Sequence, residues 1–168
     1  PPRSTQSRSS AASDVYKRQA LHRGCEVYVV TRGERHRELA RRMGAAWVGE
    51  TAHQMPVQVD SAIIFAPAGE LIPPALQSLK KGGTLSLAGI YMSDVPSLNY
   101  EKHLFYERNV RSVTANTRAD GRELLAEAAG IPIRPQVSTY PLEQANRALQ
   151  DLASDRISGT GVLLVAQD

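Results

Sequence analysis

From Ala20 onward, strand-type and helix-type hydrophobic patterns alternate along the chain. Glu26–Thr31 (EVYVVT) is β-branched and aromatic, as a strand requires. Glu34–Met43 places Leu39, Ala40 and Met43 on one helical face, and Gly44 follows as a stop. Ala45–Gly49 reads as a short second strand, and Thr51–Val59, polar and holding Pro56, as a connection. Asp60–Ala66 (DSAIIFA) is an apolar run of the kind buried on both faces in parallel sheets. The next segment predicts a helix with Pro73 and Pro74 in its first turn and Ile72, Leu76 and Leu79 as its stripe. Lys80 and Lys81 fall in its last turn, with Gly82 as the stop. Thr84–Ile90 is another buried strand. An irregular stretch, Tyr91–Arg108, leads to a strand at Asn109–Val113. Asp120 and Glu123 mark a helix start running to Ala129, similar to a capping box. Gln136–Tyr140 is a candidate strand, Leu142, Ala145, Leu149 and Leu152 form an amphipathic helix, and Gly161–Val165 is a last strand. There are no internal repeats. Strands alternating with single short helices predict an α/β protein with a doubly wound parallel sheet.

The first 19 residues do not share this pattern. Pro1–Gln19 is rich in Ser and Arg and nearly devoid of core-forming side chains. It lacks the amphipathic face of a transit peptide. Ser9–Gln19 (SSAASDVYKRQ) back-translates, eleven codons in a row, into what looks like a transposon-based sequencing-library adaptor read in frame. The segment is therefore expected to be non-native, either disordered or adventitiously helical. This changes the charge picture. The whole chain carries a formal net charge of +3. Arg3, Arg8, Lys17 and Arg18 against Asp14 account for it, and the rest of the chain is balanced, so no nucleic-acid surface is implied. No apolar run approaches the roughly 20 residues of a membrane-spanning helix. A single cysteine, Cys25, excludes a disulfide framework; as it precedes a strand, it is expected to be a small core residue.

The chain has no G-x-G-x-x-G, P-loop, G-x-S-x-G or H-E-x-x-H motif, and His22, His36, His53 and His103 show no metal-ligand spacing. Position supplies the candidates instead. Ligands in doubly wound sheets bind beyond the carboxyl ends of the strands. After the first strand come Thr31, Arg32 and, a turn later, Arg35. An acid there would bind a ribose 2′-OH, whereas a hydroxyl and two guanidinium groups favour a 2′-phosphate. The same residues also read as a strand end followed by a solvated helix face. Ala66, Pro67, Ala68 and Gly69, and likewise Ala88, Gly89 and Ile90, are small-residue ends of buried strands. They suit close approach of a ligand or an ordinary turn equally well. Arg118 precedes a helix start and reads as a phosphate ligand or as a surface arginine.

In order, the segments EVYVVTRGERHRELARRMGAAWVG, VDSAIIFAPAGELIPPALQSLKKGGTLSLAGI, VRSVTANTRADGRELLAEAA, STYPLEQANRALQDL and GTGVLLV resemble the C-terminal part of zinc-dependent alcohol dehydrogenases. These belong to the medium-chain dehydrogenase/reductase superfamily, and the resemblance is to its propanol-preferring and cinnamyl-alcohol-dehydrogenase-like group. It covers Ala20–Asp168. RRMGAAWVG, KKGGTLSLAGI and the N-T-R-A-D of Asn116–Asp120 carry it most specifically.

The resemblance implies a parent enzyme of two lobes. Residues 20–115 would be a partial Rossmann dinucleotide-binding domain without its first strand and glycine-rich loop. Residues 116–168 would return toward the catalytic domain. Thr31 and Arg32 would meet the adenosine end of the cofactor, and Ala66–Gly69 the nicotinamide ribose. Ala88–Ile90 would meet the carboxamide, and Arg118 would lie near the pyrophosphate. NADP(H) is favoured over NAD(H). Zinc would act as a Lewis acid on a primary alcohol or aldehyde in the intact parent, and this chain alone is expected to be inactive. The parent is expected to be a cytoplasmic homo-oligomer acting on a small molecule, with no nucleic-acid or membrane partner. Two departures stand out: Thr160 where the family often has Arg, and Asn116 where Gly is usual. The alternatives are a zinc-free quinone or enoyl reductase of the same superfamily and a noncatalytic Rossmann-like nucleotide-binding module. In a sheet of order 3-2-1-4-5-6 the absent first strand would separate Glu26–Thr31 from Asp60–Ala66, so a breach or an improvised filler is expected between them.

Overall fold

The computed structural model describes residues 10–131, 133, 136–154, 156–157 and 159–165. Helix α1 is Ser10–His22, strand β1 Tyr28–Val30, helix α2 Glu34–Arg42 and strand β2 Trp47–Gly49. β1 and β2 pair in parallel, Tyr28 opposite Trp47 and Val30 opposite Gly49. Helix α2 is the crossover that such a pair requires. Gly44, at φ +93, lets the chain leave the helix. Its N–H donates to the Arg41 carbonyl at 2.9 Å and the Ala45 N–H to the Ala40 carbonyl at 3.1 Å, the two bonds of a Schellman stop.

The second unit holds strand β3 (Val59–Ile64), helix α3 (Ile72–Gln77), strand β4 (Leu79–Leu87), helix α4 (Tyr100–His103) and strand β5 (Asn109–Ser112). The strands form one parallel sheet in the order β3-β4-β5. Its core is Ile64, Ile72, Ala75, Leu76, Leu79 and Leu85, with Met92, Leu98 and Leu104 packed against it from the following segment. The stripe expected at Ile72, Leu76 and Leu79 is fully inside. The last unit is helix α5 (Arg118–Gly130), strand β6 (Val137–Pro141), helix α6 (Ala145–Ala153) and strand β7 (Thr160–Leu164), with β6 and β7 again parallel. The architecture is thus the expected α/β one, with parallel strands and connecting helices.

Among the described residues β1 and β3 share no ladder. Helix α1 lies beside this region: the Tyr16 ring meets Phe65, just past β3, with centroids 5.5 Å apart. It is tied to α5 where Gln19 and Arg23 both donate to the Glu127 carboxylate. With no strand among the described residues on its edge away from β4, β3 is less buried than its composition suggests. Ile64 is buried, but Ile63 is 46% exposed.

Three local expectations are corrected. Lys80, Lys81 and Gly82 do not end α3; they lie within β4. The helix stops at Ser78, whose hydroxyl donates to the Ala75 carbonyl at 2.7 Å while its own carbonyl accepts from the Val59 N–H at 2.9 Å. That second bond draws the chain into the sheet. The pairing jumps from Val59–Leu79 to Ser61–Thr84, so the intervening Lys80–Gly83 bulges against Asp60. Gly82, at φ +74, makes the bulge, and Lys80 pairs with Asp60 at 2.9 Å. Secondly, the cap of α5 is Thr117 with Asp120, not Asp120 with Glu123. The Thr117 hydroxyl accepts from the Asp120 N–H, and the Asp120 carboxylate accepts from the Thr117 N–H at 2.7 Å. Arg118 is therefore the first residue of the helix. Thirdly, Cys25 is exposed, in the loop between α1 and β1.

Leu76→Ala should lower stability by about 2–5 kcal/mol through the cavity it leaves, read as a fall in the urea midpoint. The Thr117 N–H, and then its hydroxyl, hold the Asp120 carboxyl below its usual range. A depressed carboxyl stabilises the fold fully above its unfolded pKa and loses that contribution as pH falls through the folded one. Helical circular dichroism during acid titration should show this loss, and Thr117→Ala should reduce it.

Candidate cofactor-binding site

The carboxyl ends of β3 and β4 are brought together. The Ala88 N–H donates to the Ile64 carbonyl at 2.8 Å, which continues the β3–β4 pairing past both strands. Gly89 then packs so tightly that a Cβ there would sit 2.8 Å from the Ala66 carbonyl oxygen. Ala68 and Gly69 are buried, and Ala66, Pro67, Ala88 and Gly89 are half-buried. Ile90 projects from this cluster, 74% exposed. The Gly69 N–H donates to the Ser93 hydroxyl at 2.8 Å, and the Ser93 N–H to the Pro67 carbonyl at 3.3 Å. Ser93, three residues past Ile90, thus ties the chain leaving the second loop back to the first. The strand-end rule finds the loops from the sequence, but nothing in the pattern marks Ser93, which lies in an irregular stretch.

The carboxyl ends of β1 and β2 form a second, charged cluster. The Thr31 N–H donates to the Gly49 carbonyl at 2.9 Å, extending that ladder by one residue. Arg32 and Arg35 are both exposed. Gly33 separates Arg32 from α2 at φ +79, a left-handed value that suits a residue without a Cβ. Helix α2 carries its own ion pairs. Glu34 accepts from Arg37 Nε at 3.0 Å and Nη2 at 2.7 Å, and from Arg41 Nη1 at 2.7 Å. Arg37 also donates to Glu50, the residue after β2. These bonds from Arg41 and Arg37 hold the Glu34 carboxyl below the usual range, and Glu34 and Glu50 raise Arg37. Arg32 and Arg35, by contrast, pair with no carboxylate among the described residues. Arg35 lines a shallow depression of about 400 Å³ with Glu34, Glu38, Arg42 and Gln136.

No hydrogen bond or ion pair among the described residues joins Arg118 to either cluster; it is exposed in the first turn of α5. Among the described residues no three His, Cys, Asp or Glu side chains gather into a metal site, so these residues do not fit a zinc ion. No described helix is long and apolar enough to cross a membrane.

Comparison with known proteins identifies the family. The profile described as "Zinc-binding dehydrogenase" matches residues 18–130. The chain belongs to the zinc-binding dehydrogenase family. A probable alcohol dehydrogenase, AdhA, of Mycobacterium tuberculosis is 51% identical over 146 residues, which is 87% of this chain and 42% of that protein. An alcohol dehydrogenase of Geobacillus stearothermophilus is 29% identical over 153 residues, covering 86% of this chain and 45% of its own length. The chain thus spans less than half the length of these relatives. Solved structures share the fold at low identity. A cinnamyl alcohol dehydrogenase of Sorghum bicolor superposes with a TM-score of 0.78 at 18% identity, over 92% of this chain and 47% of that one. The CAD of Helicobacter pylori, complexed with NADP(H), gives 0.73 at 20%, over 87% and 42%. An acetophenone reductase of Geotrichum candidum, in complex with NAD, gives 0.75 at 22%, over 89% and 45%. The parallel strands described above are therefore Rossmann-like.

In this zinc-binding dehydrogenase chain the joined loops tolerate little added volume. A Cβ on Gly69 would overlap the carbonyl oxygens of Ser93 and Asp94, which are backbone atoms and cannot rotate away. Gly69→Ala should cost about 1–3 kcal/mol by overpacking and release the Ser93 contact, seen as a lower melting temperature.

Proposed function

We propose that the chain carries the cofactor-binding part of an alcohol dehydrogenase whose intact form prefers NADP(H) to NAD(H). The observation that carries this reading is the pair Arg32 and Arg35. They follow β1, Arg35 in the first turn of α2, both exposed and with no carboxylate partner among the described residues, while Arg37 and Arg41 close by are committed to Glu34. A guanidinium left free in that position suits a phosphate, which it can bind bidentately. Thr31, where an acid would repel a 2′-phosphate, offers a hydroxyl.

In this reading Thr31, Arg32 and Arg35 hold the adenosine end of the dinucleotide, and Arg118 lies near its pyrophosphate. Ala66–Gly69 and Ala88–Ile90 present backbone to the nicotinamide end, where small residues permit close approach. The nicotinamide, when bound, exchanges hydride with the alcohol or aldehyde carbon. The loops orient the ring through a surface that the Gly89–Ala66 packing keeps rigid. The substrate is a primary alcohol or its aldehyde, by likeness to the alcohol dehydrogenases above. In the intact enzyme zinc would supply Lewis-acid chemistry at that oxygen; the described residues of this chain do not assemble a site for it. The enzyme belongs to the propanol-preferring and cinnamyl-alcohol-dehydrogenase-like group, works in the cytoplasm as a homo-oligomer, and has no nucleic-acid or membrane partner. Residues 20–115 are its partial Rossmann domain, and 116–168 lead back to its catalytic domain. Ser9–Gln19 is the translated adaptor; all of it but Arg18 and Gln19 lies outside the family match.

Calorimetric titration with NADP(H) and NAD(H) tests the assignment. NADP(H) should bind more tightly. An exposed charge-assisted contact lies at the low end of roughly 1.5–3 kcal/mol, so Arg32→Ala should weaken NADP(H) about tenfold. NAD(H) affinity should stay nearly unchanged; equal losses for both cofactors would count against the assignment.

A further inference from the structure

The arginines that face a 2′-phosphate stand among acids. Glu34 is the first residue of α2, two positions after Arg32, and Glu50 follows Gly49, whose carbonyl accepts the Thr31 N–H. Two carboxylates at this strand end would by themselves offset Arg32 and Arg35 and repel a dianionic phosphate. Neither is left to itself. Arg37 donates to both, through Nε and Nη2 to Glu34 and through Nη1 to Glu50. Arg41, on the same helix face, adds a third bond to Glu34 at 2.7 Å. The Arg37 side chain is only 16% exposed, although both carboxylates it binds are mostly in solvent. A half-buried guanidinium forking between two exposed acids is an arrangement that lysine, a point charge, would not reproduce.

We propose that Arg37 is a positioning residue for cofactor choice: by engaging Glu34 and Glu50 it keeps both carboxylates from competing with the 2′-phosphate for Arg32 and Arg35. The proposal rests on the cofactor reading above, but it assigns preference to a residue that does not touch the cofactor. Without Arg37, Glu34 and Glu50 become free partners for Arg32 and Arg35. An uncompensated carboxylate within about 8 Å of a phosphate dianion in water weakens binding roughly fivefold before screening. Two of them, screened by salt, should weaken it roughly five- to tenfold. A ligand without the 2′-phosphate should be indifferent.

The test uses the 168-residue chain with two probes, adenosine 2′,5′-bisphosphate and adenosine 5′-monophosphate, so that the nicotinamide end plays no part. Arg37→Ala should weaken the bisphosphate roughly five- to tenfold and leave the monophosphate within about twofold. Adding Glu34→Gln and Glu50→Gln to Arg37→Ala should restore bisphosphate binding, which a merely structural role for Arg37 would not allow. If Arg37→Ala does not fold, the exposed Arg41→Ala decides: it should weaken the bisphosphate roughly two- to threefold, recovered by Glu34→Gln. If the unaltered chain prefers the bisphosphate but Arg37→Ala changes nothing, weakens both probes equally or is not rescued, the role of Arg37 is overturned and the cofactor reading stands. If the unaltered chain does not prefer the bisphosphate, the cofactor reading fails and the role of Arg37 fails with it.

Discussion

The packing of Leu76, Leu79 and Leu85 between α3 and the paired strands β3 and β4 is the contact on which the candidate site depends. All three are sealed from solvent, and they fix the height at which the two strands end. Because β3 and β4 are parallel and in register from Ser61–Thr84 to Ile64–Leu87, their exits come out side by side. The Ala66 and Gly89 backbones can then touch. A slip of one residue in that register would turn every core side chain to the wrong face and would separate the two loops. The loops need no long-range ion pair to hold them, because the core beneath already does so.

The charged end is organised differently. The β1–β2 pair is three residues long, and a two-stranded unit of that size has little stability of its own. Its order comes from α2, closed by Gly44, and from the bond that Arg37 makes across to Glu50. Val29 and Ala40 are buried at this end, and ion pairs add to them where apolar packing alone holds the other, so salt should act on the two ends unequally.

Much of this was legible in the chain. The Pro73–Pro74 start and the Gly44 stop each encode one local geometry, and each appears as read; of the stripe, Ile72 and Leu76 lie on α3 as expected, while Leu79 is buried as expected but as the first residue of β4. Reading failed where a tertiary bond overrode a local signal. Lys80, Lys81 and Gly82 carry a good helix-end signature, yet the Val59–Ser78 bond takes the chain into β4 one turn early. The Asp120–Glu123 spacing imitates a cap, but Thr117 lies one helical turn upstream and captures Asp120 first. In the site, Arg32 and Arg35 stand out by position after a strand. The engagement of Glu50 by Arg37 does not, because the two are 13 positions apart with a strand between them. Ser93 was equally hidden, since a hydroxyl in an irregular stretch carries no periodic mark.

The absence of a ladder between β1 and β3 among the described residues has a mechanical consequence. The arginine cluster and the small-residue loops belong to separately hydrogen-bonded blocks, so the span between them is not fixed by strand spacing. A dinucleotide that touches both is then a bivalent ligand. Once one end has docked, the other meets its block at an effective concentration set by how freely the blocks move. Each half of such a ligand, offered separately, would bind its own block with little regard for the other. The joined molecule would act as the crosslink that the backbone does not supply, and its occupancy would stiffen the whole assembly.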